Sequence, residues 1–303
     1  MCLSIQLSGV DVSHSSFIYG HNALYNVWLT CEATMPRSSH GSAAALAAVA
    51  ATAVTLALVL PKLQRWWRRR RWAQEQDRLA TLVSFDDAPA VAALVSRIDA
   101  SEPCVVAGVA LVEDLRGAVV VAVAVQLPSL KRIDGAVVPV ATSLPYEPGF
   151  VGFRAAPFLA RALNSLKVDV AVALVRGHGF LHPRTFGVAC HTGLVAGVPT
   201  CGVADSLLRV DGVDETAVVA RARASLQLGE ALPIVGASGV VWGAALRATS
   251  EPNFRPTYVS AGPGVSLATA IRLAVACRRY RVPEPVRLAE LEGRVALRER
   301  VVD

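Results

Sequence analysis

The residues with the clearest chemical potential are histidines, arginines and tryptophans. His178 and His182 stand four apart in GHGFLH at 177–182, where a strand is expected to give way to a loop. Without carboxylates or cysteines to complete a coordination sphere, they read as loop hydrogen-bonding residues and not as metal ligands. Arg154, at an expected helix start, suits either a phosphate contact or an ion pair. Trp66, Trp67 and Trp72 flank a run of arginines, a mixture suited to stacking on bases or to a membrane interface. Cys2, Cys31, Cys104, Cys190, Cys201 and Cys277 form no CxxC pair and no zinc-ligand spacing, which predicts buried, reduced thiols.

These residues sit in a chain of 303 amino acids, 53% hydrophobic and 18% charged, long enough to bury a sizeable core. The formal charge is +6, and Lys62, Arg65, Arg68, Arg69, Arg70 and Arg71 carry all of that excess. The remainder is neutral, so bulk charge does not hold nucleic acid to the globular part; only local patches can.

Residues 1–41 show no sustained periodicity, so no fold is assigned there, and Met35 competes with Met1 as the start of translation. From Ser42 to Leu60 the chain is uncharged and rich in Ala, Val and Leu, and Pro61 and KLQRWWRRRRW follow. This reads as a single N-terminal transmembrane helix at 42–60 with a basic aromatic juxtamembrane segment at 61–74, so that residues 42–72 engage a membrane. The positive-inside rule then places everything after Trp72 on the cytosolic or matrix side. The alternatives are a targeting helix, a solvated basic linker or a nucleic-acid contact, on a soluble nuclear or cytoplasmic protein.

Beyond the basic block, periodicity predicts a helix over 73–98, a strand at 104–111, a Val/Ala hairpin turning near 113–117 and a strand near 136–141. A helix over 154–166, a buried strand at 168–175, a helix near 187–196 and a strand at 200–204 follow. The fold class is α/β, a mixed sheet with flanking helices, whose ligands belong at the carboxyl ends of strands in the loops 145–153, 176–187 and 204–212.

PYEPGFVGFR at 145–154, GHGFLHPRTFGVACHTGL at 177–194, PTCGVA at 199–204 and RYRVPEPVR at 279–287 occur in one order, and in them the chain resembles the endonuclease V family over residues 75–290. Residues 291–303 are left as a C-terminal tail. The resemblance implies a ribonuclease H-like sheet and magnesium-dependent hydrolysis of a phosphodiester near inosine in DNA or RNA. That chemistry needs carboxylates converging on Mg²⁺. Where the family reads GVDVS, FRE, VDGHG and SPGH, this chain carries Ala110, Ala155, Arg176 and Pro263 in place of Asp, Glu, Asp and His. Asp205 replaces the lysine of GVAK. A stray GVDVS at 9–13 reads as coincidence. Glu113, Asp114 and Asp169 fall on the wrong face or too far along their strands to substitute. A guanidinium at Arg176, about 4 Å from a divalent ion at an effective dielectric of about 20, would be repelled by roughly 8 kcal/mol. No cofactor is therefore expected, although the family uses Mg²⁺.

What persists are positions resembling the family's wedge and base pocket: Tyr146, Pro148, Gly149, Gly177, Gly179, His182, Gly187 and Gly202, with Arg154 retained and Arg176 a candidate phosphate cation. Tyr146 between prolines is a stiff aromatic able to fill the gap left by an extruded base, and the glycines let backbone amides approach a purine edge; the same residues also serve turns and packing. The sequence thus reads as a catalytically inactive relative that binds inosine-containing or single-stranded RNA or DNA. The alternatives are a structural subunit held by protein partners at a membrane, and an active magnesium-dependent nuclease.

Overall fold

The computed structural model describes residues 42–250 and 254–299, and the chain forms two units, residues 1–64 and 65–303. Residues 1–41, with Met35 and the stray GVDVS, lie outside the described residues.

Helix α1 is Ser42–Ala80, and its residues from Arg65 belong to the second unit. The expected membrane span at 42–60 is helical, but among the described residues no helix is long and apolar enough to cross a membrane. Ala and Thr dominate that run and contribute little to insertion, and the helix continues through Pro61 into the arginines instead of ending there. The compact second unit begins ten residues before the expected boundary at 75 and takes in most of the segment read as juxtamembrane.

The second unit continues with α2 (Pro89–Asp99), β1 (Cys104–Asp114), β2 (Gly117–Leu127), β3 (Lys131–Pro139), α3 (Val151–Asn164), β4 (Ala173–Arg176), α4 (Val188–Ala196) and β5 (Thr200–Ala204). Then come α5 (Glu215–Ser225), β6 (Ala231–Val235), β7 (Val241–Leu246), β8 (Thr257–Ser260), α6 (Leu267–Ala276) and α7 (Glu284–Glu299). The helix expected over 73–98 is two helices. Pro89 forces Ala88 into an extended conformation (φ −62°, ψ 150°), and Asp87 turns away to accept bonds from Ser266 and Thr269 at the start of α6. Residues 291–299, expected as a tail, are the second half of α7.

The eight strands form one mixed sheet in the order β3-β2-β1-β4-β5-β8-β7-β6, with β1, β4 and β5 parallel. β1 and β2 are nearly continuous Val/Ala runs buried on both faces, as central strands must be. β4 is shorter than its apolar run because β1 and β5 pair with it only over 173–176. On one face α3 and α4 bury Ala155, Leu159 and Ala189 against Val109 and Val175. On the other, α2, α6 and α7 bury Val91, Leu273 and Val286 against Val106, Leu174 and Val203. α7 lies so close to β1 that a Cβ on Gly108 would fall 2.4 Å from the carbonyl carbon of Pro285. This contact fixes the height of α7 above the ends of the parallel strands, where the chemistry of the molecule is decided.

Candidate nucleic-acid site

The parallel pairing of β1, β4 and β5 stops at one level, beyond which β1 runs on in its hairpin with β2, and the residues at that level set the character of the site. Val109 pairs with Val175, so Ala110 neighbours Arg176 in register, and Arg176 pairs with Val203, two residues before Asp205. By strand alternation Ala110, Arg176 and Asp205 share the face that α7 covers. From α7, Glu290 accepts a bond from Arg176 Nε at 2.6 Å, while Arg176 Nη2 donates to Asp205. Arg281 pairs with Asp205 at 3.0 Å and Arg294 reaches Glu290 at 3.9 Å. Burial pushes the Arg176 pKa down, but its bonds and attraction to Asp205 and Glu290 prevail and raise it.

This cluster does not fit the magnesium ion that the resemblance implies. Ala110 is a methyl packed among Val119, Val121 and Ala289, and Ala155 is a methyl that α3 packs onto the opposite face of the sheet. Pro263 offers only its carbonyl, which accepts from Thr200 N. Both carboxylates near the strand ends are already taken by a guanidinium. Among the described residues no three His, Cys, Asp or Glu side chains gather to hold a metal.

Beside the cluster lies a cavity of about 350 Å³, lined by Tyr146, Pro148, Gly149, Arg176, Gly177, His178, His182, Gly187, Asp205 and Ser206 among others. Its walls come from all three loops expected to carry ligand. Tyr146 at its edge is 63% exposed. Gly149 adopts φ +81°, which only glycine takes without strain, and its carbonyl meets two buried donors, His182 Nε2 at 3.0 Å and Gln76 Nε2 at 3.1 Å. His182 Nδ1 accepts from Arg184 N at 3.2 Å, which fixes the Nε2–H tautomer. Burial pushes the pKa of His182 down to about 4, against the opposing bond to Gly149. His178 also falls to about 4, through burial and then the charges of His182 and Arg176. Both rings are neutral and lie in the loop after β4; His182 makes the loop hydrogen bonds expected of it, while His178 Nδ1 is buried without a partner.

Gly179 and Gly202 are not on the cavity wall. Gly202 lets the 177–179 loop press onto β5, since a Cβ there would lie 2.5 Å from Gly179 N; Gly179 N in turn donates to Ser260 Oγ at 2.8 Å. Arg154 resolves to the ion pair of its two readings, bonded through both terminal nitrogens to Glu113. Arg176, the candidate phosphate cation, is held by two carboxylates through Nε and Nη2, while its Nη1 is buried without a partner.

Sequence reasoning missed the contribution of α1. Gln76, buried, joins Gly149 to Phe186 O at 2.7 Å and so ties two cavity loops together. Glu147, only 3% exposed, pairs with Arg65 at 2.8 Å, Arg68 at 3.3 Å and Arg69 at 4.0 Å. Burial raises its pKa, and the bonds from Arg65 and Arg68 with the charge of Arg69 outweigh that to lower it. Trp72 stacks on Phe153 with centroids 5.2 Å apart and planes 4° from parallel, so it is not free to stack on a base. A buried-looking glutamate between prolines, with unpaired arginines upstream, was the available signal.

The mixed α/β sheet with flanking helices, its strand ends opening on a glycine-lined cavity edged by an exposed tyrosine, is the architecture that known proteins share with this chain. The endonuclease V family profile matches residues 90–291, and the chain belongs to that family. It is 40% identical over 182 residues to mouse endonuclease V, covering 58% of this chain and 54% of the relative. It is 38% identical over 200 residues to the Azotobacter vinelandii protein, covering 65% and 85%. The chain thus spans little more than half the length of the mouse relative. The crystal structure of human endonuclease V superimposes with a TM-score of 0.69 at 36% identity, over 77% of this chain and 99% of that one. The Ciona intestinalis enzyme, solved with a 24mer DNA containing an inosine followed by a ribo-adenosine, gives 0.67 at 27% identity, over 77% and 98%.

Proposed function

We propose that this chain is a non-cleaving member of its family that binds inosine-containing or single-stranded RNA or DNA through the cavity beside Tyr146, independently of magnesium. The observation that carries the reading is Arg176, clamped by Asp205 and Glu290 next to Ala110. A guanidinium there occupies the carboxylates near the strand ends and repels a divalent cation. The exposed Tyr146 and the cavity remain available, and the related Ciona protein holds inosine-containing DNA. Binding without cleavage follows when positioning groups persist and the ion that activates water has no ligands.

Paired binding and cleavage assays with the full chain, on matched RNA and DNA strands with and without one inosine, in Mg²⁺ and in EDTA, test this. Equal binding in both buffers with the strands intact is expected. Magnesium-dependent cleavage abolished by a single point change in this chain would overturn it.

A further inference from the structure

From Arg65 onward α1 presents two faces. Arg65, Arg68, Arg69, Trp72 and Gln76 turn inward to Glu147, Phe153 and Gly149. Trp66, Trp67, Arg70 and Arg71 lie around the helix from them. The indoles of Trp66 and Trp67 are 50% and 56% exposed, edge to face with centroids 4.8 Å apart, and the guanidinium of Arg70 lies 5.3 Å from the Trp66 ring centre. Among the described residues no carboxylate is in ion-pair reach of Arg70 or Arg71. Of the five arginines between 65 and 71, three share a single carboxylate, Glu147, which is adjacent in sequence to the exposed Tyr146.

We propose that Trp66, Trp67, Arg70 and Arg71 form a platform for single-stranded nucleic acid, on the helix tied to the loop of Tyr146, taking bases on the indoles and phosphates on the arginines. The inference rests on the proposed nucleic-acid function. Two large exposed aromatics interleaved with uncompensated cations suit a chain with flat bases and regular negative charge. Glu147 fastens the inner arginines to the loop that carries Tyr146, so the helix that bears the outer residues is tied to the edge of the cavity. The family match begins at residue 90, so the platform lies outside the residues that the family profile matches.

The test uses the full-length protein, a fluorescein-labelled 20mer with or without one inosine, and vesicles containing phosphatidylserine. R70Q/R71Q is expected to weaken binding to both strands alike and to flatten the slope of log K against log salt by about 1.4, for two lost phosphate contacts. W66A/W67A is expected to weaken both strands by roughly 5- to 150-fold for each base unstacked. Unchanged affinity and slope in both variants, with the parent still binding, would overturn the platform and leave the proposed function standing. No binding by the parent would overturn both. Parental binding to vesicles but to neither strand would identify the face as a lipid surface and overturn this inference.

Discussion

Replacing Arg176 by Ala removes two charged hydrogen bonds and leaves Asp205 and Glu290 facing a methyl-lined gap. Breaking a fully buried pair from one side costs about 3–5 kcal/mol. Here the three side chains are 21%, 30% and 18% exposed, and Arg281 and Arg294 remain beside the stranded carboxylates, so screening reduces the cost to about 1.5–2.5 kcal/mol. For a domain of this size that is a fall in melting temperature of roughly 3–10 °C by calorimetry or near-UV circular dichroism. The same variant releases both carboxylates from Arg176 and leaves each with one more exposed arginine, so millimolar Mg²⁺ is expected to raise its melting temperature while leaving the parent unmoved. A melting temperature within about 1 °C of the parent, or the same Mg²⁺ response in both proteins, would refute the view that this guanidinium holds the strand ends together where a cation would sit.

Y146A is expected to weaken oligonucleotide binding by roughly 5- to 150-fold, the value of one stacked base, without moving the melting temperature, because the ring is largely exposed; titration by fluorescence anisotropy with a parallel melt checks it. His182 and His191 are buried and neutral, with pKa values pushed down to about 4 by burial. Unfolding lets each take up a proton below its ordinary value of about 6.5, so stability falls as pH drops from 6.5 toward 4, by about 3 kcal/mol per ring, and H182Q should flatten that dependence in a pH series of melts. G187A places a Cβ 2.2 Å from His178 O, a rigid backbone atom, and should lose at least the roughly 1–3 kcal/mol of overpacking together with the cavity wall, visible as lost binding and an earlier melt.

The strand ends were legible because β1, β4 and β5 are buried apolar runs bounded by polar turn residues, with Gly177 and Gly179 directly after β4, a pattern that period and composition resolve. Two things were not. A run of alanines before arginines has the hydropathy outline of a membrane anchor, and only tertiary contact reveals that Arg65, Arg68 and Arg69 close on Glu147. The partners of Arg176 come from residues 29 and 114 positions away, and no local pattern specifies that α7 delivers Glu290 to the end of β4. The split of the 73–98 helix was foreseeable from Pro89, whose constraint on Ala88 outweighs the apolar periodicity on either side.

The exchange at positions 176 and 205 explains how such a scaffold keeps its fold while its site changes sign. The family resemblance implies an aspartate and a lysine there; this chain has Arg176 and Asp205, so the cross-strand pair remains opposite in charge with its polarity reversed. Either substitution alone would set two like charges side by side, a repulsion of about 4 kcal/mol at 4 Å and an effective dielectric of about 20. Together they restore attraction, and Glu290 and Arg281 extend it into an alternating cluster. An alternating cluster stabilises the strand ends as an acidic cluster holding a metal would, but it needs no ion. On the proposed reading its positive member stands where the resemblance implies a negative one, so the interactions that hold these strand ends together are the ones that would keep a divalent cation out.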